Sequence, residues 1–114
     1  MPINPPKKSF DDRRQERRIQ SNLPVELKLD AQVTVTGTLK NISPRSAFVQ
    51  LRESAYMRLH DEFQFFIKRS STDVSRGISG RARITRIAEG EGIGIYFVDL
   101  EKKSVPQLEQ LLWG

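Results

Sequence analysis

From residue 24 onwards the chain alternates apolar and polar positions with the period of two that strands require. Val25, Leu27 and Leu29 alternate with Glu26, Lys28 and Asp30, and Val33, Val35 and Leu39 alternate with Thr34, Thr36 and Lys40. Asp30-Ala31-Gln32 between the two runs reads as a short hairpin turn, and Gly37 is expected to mark a bulge. A third strand covers residues 47–51, with Val49 and Leu51 in phase. Pro44 removes a ladder donor and so places a turn before it. Phe63, Phe65 and Ile67 set a fourth strand, and residues 69–76 form a polar loop. Ile78, Ala82 and Ile84 set a fifth strand, and Ile93, Ile95 and Phe97 a sixth, with Glu89-Gly90-Glu91-Gly92 turning the chain between them. Short, closely spaced strands with such turns predict a mainly β fold, a small antiparallel barrel or sandwich.

The two ends depart from this pattern. Ser104-Val105-Pro106-Gln107 reads as a capping box, with Ser104 at the N-cap, and Leu108, Leu111 and Leu112 follow on one helical face. A helix this short is marginal alone, so it is expected to pack on the barrel. At the other end, residues 1–10 carry Pro2, Pro5 and Pro6 with nothing to bury and read as a disordered tail. Residues 11–22 are polar with Ile19 alone apolar, and read as an arm outside the core. The domain proper is expected over residues 23–114.

The chain has 114 residues, which suits one domain with one core. It has no cysteine and a single histidine, His60, which excludes disulfides, thiolate metal sites and His-rich clusters. His60 reads as a loop residue beside Asp61. No apolar run reaches the length of a membrane span, and no signal-peptide core is present. A cytoplasmic location is the expectation. Catalysis is not: there is no Ser-His-acid arrangement and no phosphate-binding loop, and Gly90, Gly92 and Gly94 read as a hairpin rather than a dinucleotide fingerprint.

Net charge is +5. Lys7, Lys8, Arg13, Arg14, Arg17 and Arg18 concentrate much of it near the N-terminus, against Asp11, Asp12 and Glu16. Such a cluster points to an anionic partner. Guanidinium groups fork onto phosphate oxygens and stack on base faces, so spaced arginines on an arm suit a compact nucleotide. Arg14 and Arg18 stand at the ends of an R-x-x-x-R pattern. Further on, Asn41-Ile42-Ser43-Pro44-Arg45-Ser46 fits [D/N]-x-S-x-x-G except that Ser46 stands for glycine. Asn41 and Ser43 offer donors and acceptors at a point where the apolar phase slips by one, from Leu39 to Ile42, so a bulge or bend there aims polar side chains outward. Asn-x-Ser-Pro is also good turn chemistry. Arg86 continues the inward phase of Ile78, Ala82 and Ile84, and an arginine there belongs at the rim of the barrel rather than deep inside it. Arg81 and Arg83 fall on the opposite phase and read as solvated exterior charges. Single-stranded nucleic acid is a disfavoured partner, because it needs exposed aromatics on a basic face. Phe63, Phe65 and Phe97 sit on inward phases, which leaves Phe48, Phe66 and Tyr96.

The two patterns, in this order and between a polar tail and a β-rich chain, resemble the PilZ-domain family, whose usual ligand is the bacterial second messenger cyclic di-GMP. Gly94-Ile95-Tyr96-Phe97-Val98-Asp99-Leu100 is similar to the family's closing strand, and the Leu-bearing terminal helix matches too. The resemblance implies a six-stranded antiparallel β-barrel with a short C-terminal α-helix and a flexible N-terminal arm. It implies that Arg14 and Arg18 hold phosphates and stack on guanines, and that Arg13 goes with a stacked, intercalated pair of ligand molecules. Asn41 and Ser43 match the pair that reads the guanine edge, and Arg86 falls where some members place a ligand-contacting Trp or Arg. At position 46 the family's glycine permits φ > 0 and close approach of the ligand. A serine held in that conformation would cost about 1 kcal/mol. The expected function is a cyclic di-GMP receptor, not an enzyme, with no further cofactor and no metal, which signals to a downstream protein when its arm folds over the ligand. The alternative within the family is an adapter that binds no nucleotide.

Overall fold

The computed structural model describes residues 17–52 and 57–114. Six strands form: β1 (Ile19–Lys28), β2 (Thr34–Ile42), β3 (Ser46–Gln50), β4 (Glu62–Ile67), β5 (Ile78–Ala88) and β6 (Gly92–Leu100). A helix, α1 (Ser104–Trp113), follows them. The strands pair antiparallel and close into a barrel in the order β1-β2-β3-β6-β5-β4. The alternation in the sequence therefore resolves to a barrel rather than a sandwich. Closure is completed from the Val25/Ile67 pair to the Lys28/Gln64 pair between β1 and β4, which leaves no sheet edge open there.

The inward phase fills the lumen. Val25, Leu27, Leu39, Val49, Ile84 and Ile93 are fully buried, and the Phe65 and Phe97 rings stack with centroids 5.2 Å apart. Each such side chain contributes about 1.5–3 kcal/mol by leaving water. The helix adds Leu108 and Leu112 to the same core. The polar loop expected at 69–76 is present and contains one 3-10 turn, Val74–Arg76, capped by Asp73. Gly90 supplies positive φ (78°) in the β5–β6 turn. His60 lies in the turn before β4, as expected, with φ of 76° and its N–H on the Ile84 carbonyl.

Three local expectations are corrected. First, residues 19–22, assigned from sequence to the arm, belong to β1, and Ile19 packs against the core. Pairing of Ile19 with Ile42 and Gln20 with Asn41 draws them in, and a polar composition cannot reveal that pairing. Second, Gly37 is not at a bulge, since the register runs evenly through it. A Cβ there would come within 2.6 Å of Leu51 Cδ2 and 2.7 Å of the Gln50 carbonyl, so the glycine serves close packing of β2 on β3. Third, Ser104 does not cap its own helix. The cap position is Lys103, without a side-chain hydrogen bond. Ser104 is fully buried, and its hydroxyl accepts the Ser79 N–H of β5 at 2.8 Å. A capping motif competes with any better-placed donor, and here the strand amide wins.

That bond ties the helix to the barrel wall. Ser104→Ala leaves the Ser79 amide without its acceptor, and an unpaired buried donor costs about 1–3 kcal/mol. Denaturant unfolding should show that loss, and exchange of the Ser79 amide should speed up. A variant as stable as the parent would show that water or a shifted backbone replaces the hydroxyl.

Candidate functional site

The site is built on the outer face of β2, β3, β6 and β5, and two phase slips create it. Along β2 the inward positions are odd-numbered up to Leu39. The register with β3 then shifts between Leu39 and Asn41. Ile42 becomes the buried residue, and Asn41 turns to the outside. Along β5 the inward positions are even-numbered up to Ile84, and the register with β6 shifts between Ile84 and Arg86. Thr85 is the extra residue, and its hydroxyl donates to the Gly94 carbonyl at 3.4 Å. Arg86 is thereby exposed, and Ile87 packs against the core in its place. The sequence anticipated the slip at Asn41. It put Arg86 on the inward phase at the barrel rim, and that is corrected: a bulge carries Arg86 to the outer wall.

The two slips leave a row of cross-strand neighbours: Asn41 pairs with Phe48, Phe48 with Gly94, and Gly94 with Arg86. A groove of about 310 Å³ runs over this row, lined also by Arg18 and Ser46. Arg18 reaches in from the residue preceding β1. Its Nη1 donates to Asn41 Oδ1, and its Nη2 donates to Ser46 Oγ at 2.7 Å. The Arg86 guanidinium carbon lies 5.6 Å from the centre of the Phe48 ring, in cation–π range.

Ser43 takes the turn role that Asn-x-Ser-Pro allows. It is 3% exposed and does not line the groove. Its N–H bonds the Ser46 carbonyl at 2.8 Å, and its hydroxyl accepts the Ser46 N–H at 3.2 Å and meets Ser46 Oγ at 3.0 Å. The hydroxyl is spent on closing the Ser43–Ser46 turn, so Ser43 positions the site from beneath. Ser46 does not have positive φ; among the described residues, His60 is the one non-glycine residue that does. The strain considered for a serine at this position is absent.

Of the sequence-derived site residues, Arg18, Asn41, Ser46 and Arg86 converge on one groove, and Arg13 and Arg14 lie outside the described residues. Phe48 and Gly94 were not assigned to the site, and only the cross-strand pairing reveals them. Arg17 was not singled out either. Its Nε donates to the Leu112 carbonyl at 2.8 Å, and its guanidinium carbon sits 4.7 Å from the centre of the Trp113 ring. Adjacent arginines thus face opposite ways, Arg18 to the groove and Arg17 to the end of α1.

Local charge favours an anion. Among the described residues, no carboxylate forms a salt bridge with Arg17, Arg18 or Arg86. Arg81 and Arg83 are exposed, as expected, but both pair with Glu62 of β4. The hydrogen bonds from Arg83 to Glu62 hold that carboxyl below its ordinary range. No group of three or more potential metal ligands occurs among the described residues. No described helix is long and apolar enough to cross a membrane.

A family model described as the PilZ domain matches residues 12–113. The chain belongs to the PilZ-domain family. Three solved structures share the fold. The Bacillus subtilis inhibitor of motility, MotI/DgrA, superposes with a TM-score of 0.72 at 18% identity, over 88% of this chain and 49% of that one. The PilZ domain of CeSA from a cellulose-synthesizing bacterium gives 0.60 at 25% identity, over 85% of this chain and 95% of the other. Borreliella burgdorferi PlzA, in complex with c-di-GMP, gives 0.51 at 12% identity, over 92% of this chain and 53% of that one. The chain therefore spans about half the length of MotI/DgrA and of PlzA, and nearly all of the CeSA domain. No curated protein sequence matches it.

Where the PilZ pattern has glycine, Ser46 here bonds both Arg18 and Ser43. Ser46→Gly relieves no strain, removes these bonds and adds unfolded-state freedom. It should destabilise the barrel by about 0.5–1 kcal/mol. Thermal melts of the two proteins check this, and a higher melting temperature for the glycine variant would contradict the geometry.

Proposed function

We propose that this PilZ domain is a receptor for cyclic di-GMP. The observation that carries the reading is the convergence of Arg18, Asn41, Ser46 and Arg86 on one groove, with neither arginine paired to a carboxylate among the described residues. PlzA, which has the same fold, was solved with this ligand, and that supports the choice. Arg18 rests on two neutral oxygens, those of Asn41 and Ser46. A phosphate is a stronger acceptor, and charge-assisted hydrogen bonds contribute about 1.5–3 kcal/mol each. On binding, Arg18 turns to the phosphate, and Asn41 is released to read a guanine edge. Arg14 supplies a second phosphate contact, and Arg13 favours a stacked pair of ligands. Ser43 holds the turn. Three or four such contacts with base stacking exceed the cost of ordering the arm and reach micromolar affinity, about −8 kcal/mol. The function is binding, not catalysis, and the output is the arm, which folds over the ligand and presents a new surface to a downstream protein in the cytoplasm.

Isothermal titration tests the reading. The parent should bind cyclic di-GMP, and Arg18→Ala should lose at least about 2 kcal/mol, roughly a thirtyfold weakening, with the barrel still folded. Unchanged affinity in the variant would remove Arg18 from the ligand site. No binding by the parent would favour the adapter class.

The switch is checked separately. Amide exchange over residues 11–18, the arm that precedes β1, should slow at saturating cyclic di-GMP. Identical exchange with and without ligand would refute the switch while leaving binding intact.

A further inference from the structure

We propose that Phe48 is a base-stacking platform, that Gly94 keeps the space beside it open, and that Arg86 closes over an inserted purine. The proposal rests on the cyclic di-GMP reading and assigns how one base of that ligand is seated. It starts from the transverse row on the outer wall. Asn41, Phe48, Gly94 and Arg86 are successive cross-strand neighbours on four adjacent strands. In order across the wall, the row offers an amide, an aromatic face, a gap and a guanidinium. A purine inserted over the gap finds a flat partner for each face, the Phe48 ring on one side and the Arg86 guanidinium on the other.

Phe48 has no role in the core. Its neighbours Ala47 and Val49 take the inward phase and are buried, whereas Phe48 is half-buried on the outside. Its ring is the aromatic that lines the groove. The gap beside it is specific to glycine. A Cβ built on Gly94 would stand 3.3 Å from Arg86 Cβ and 3.8 Å from Thr85 Oγ1, so any larger side chain fills the floor. Gly94 lacks the positive φ that would call for glycine. Its absent side chain therefore serves the open space and not a turn.

The slot is covered by its own cation. The Arg86 guanidinium lies 5.6 Å from the Phe48 ring centre. A base stacked between two planes needs about 7 Å, twice the 3.4 Å spacing of stacked bases. Arg86 must therefore withdraw by about 1.4 Å. It is exposed and on a long side chain, and among the described residues no carboxylate pairs with it, so the movement is cheap. One exposed cation–π contact is exchanged for two stacking contacts, ring on base and base on guanidinium.

The test is titration of the full chain with cyclic di-GMP, comparing the parent with Phe48→Ala, Phe48→Leu, Gly94→Val and Arg18→Ala. Phe48→Ala should weaken binding about tenfold or more, the scale of losing one base–aromatic stack. Phe48→Leu keeps apolar bulk but loses the flat face, and should also weaken binding. Gly94→Val fills the floor with a residue that strands favour, and should weaken binding without unfolding the barrel. In the proton spectrum, the guanine H8 resonance should move upfield on binding the parent, through the ring current of Phe48, and should not do so with Phe48→Leu. If Arg18→Ala loses binding while Phe48→Ala stays within about twofold of the parent, the platform is wrong and the receptor reading stands. An H8 shift unchanged in Phe48→Leu overturns the platform in the same way. If the parent does not bind, the receptor reading itself falls, and the platform with it.

Discussion

The interior of this closed six-stranded barrel is filled by its own apolar side chains, so a polar side chain without a partner must leave it. That constraint shapes the whole outer wall. The strict alternation that fills the lumen would carry Asn41 and Arg86 inward, where an unpaired amide or guanidinium is costly. One extra residue in β2 and one in β5 shift the register, and each turns its polar side chain out. The same slips move Ile42 and Ile87 toward the core, so the interior loses no apolar surface. Stability and site come from one device.

Arg17 and Arg18, just before β1, are held from two sides. Arg18 bonds Asn41 and Ser46, while Arg17 bonds the Leu112 carbonyl and covers Trp113. The last carbonyls of a helix lack partners within it, and a cation at that end meets both the orphan oxygen and the favourable end of the helix dipole. The helix in turn is held by Ser104 on the Ser79 amide and by Arg69 on the Gln107 carbonyl and side chain. The groove, the root of the arm and the terminal helix are thus mechanically continuous. Arg18, in the groove, is covalently next to Arg17, which grips α1.

A basic chain does not bind anions with every basic residue. Arg81 and Arg83 are committed to Glu62, and Lys68 to Glu26. These exposed pairs contribute little to stability, at most about 1 kcal/mol each, but they neutralise one part of the wall. Arg17, Arg18 and Arg86 have no such partner among the described residues, so the groove and the end of α1 keep their positive charge.

The period-two pattern of Val25, Leu27, Leu39, Val49, Phe63, Phe65, Ile84 and Ile95 was enough to predict strands and a β-rich core, because burial on one face demands that alternation. The jump from Leu39 to Ile42 likewise announced a bulge, and the two short motifs pointed to the family. Strand pairing was beyond reach. Which residues face one another across a barrel depends on registers set by distant segments, so the row from Asn41 through Phe48 and Gly94 to Arg86 was invisible in a linear reading. Arg86 looked inward because the even phase was extended past Ile84, although the jump from Ile84 to Ile87 has the same three-residue step as that from Leu39 to Ile42. Ser43 and Ser104 have the right residue types for a ligand contact and a helix cap. Tertiary packing buried Ser104 and gave its hydroxyl the Ser79 amide, whereas the Ser43 hydroxyl took the local turn donor at Ser46. Composition and periodicity determine what a segment is able to bury. Only the folded chain decides which polar atoms meet, because that depends on distances that local sequence does not encode.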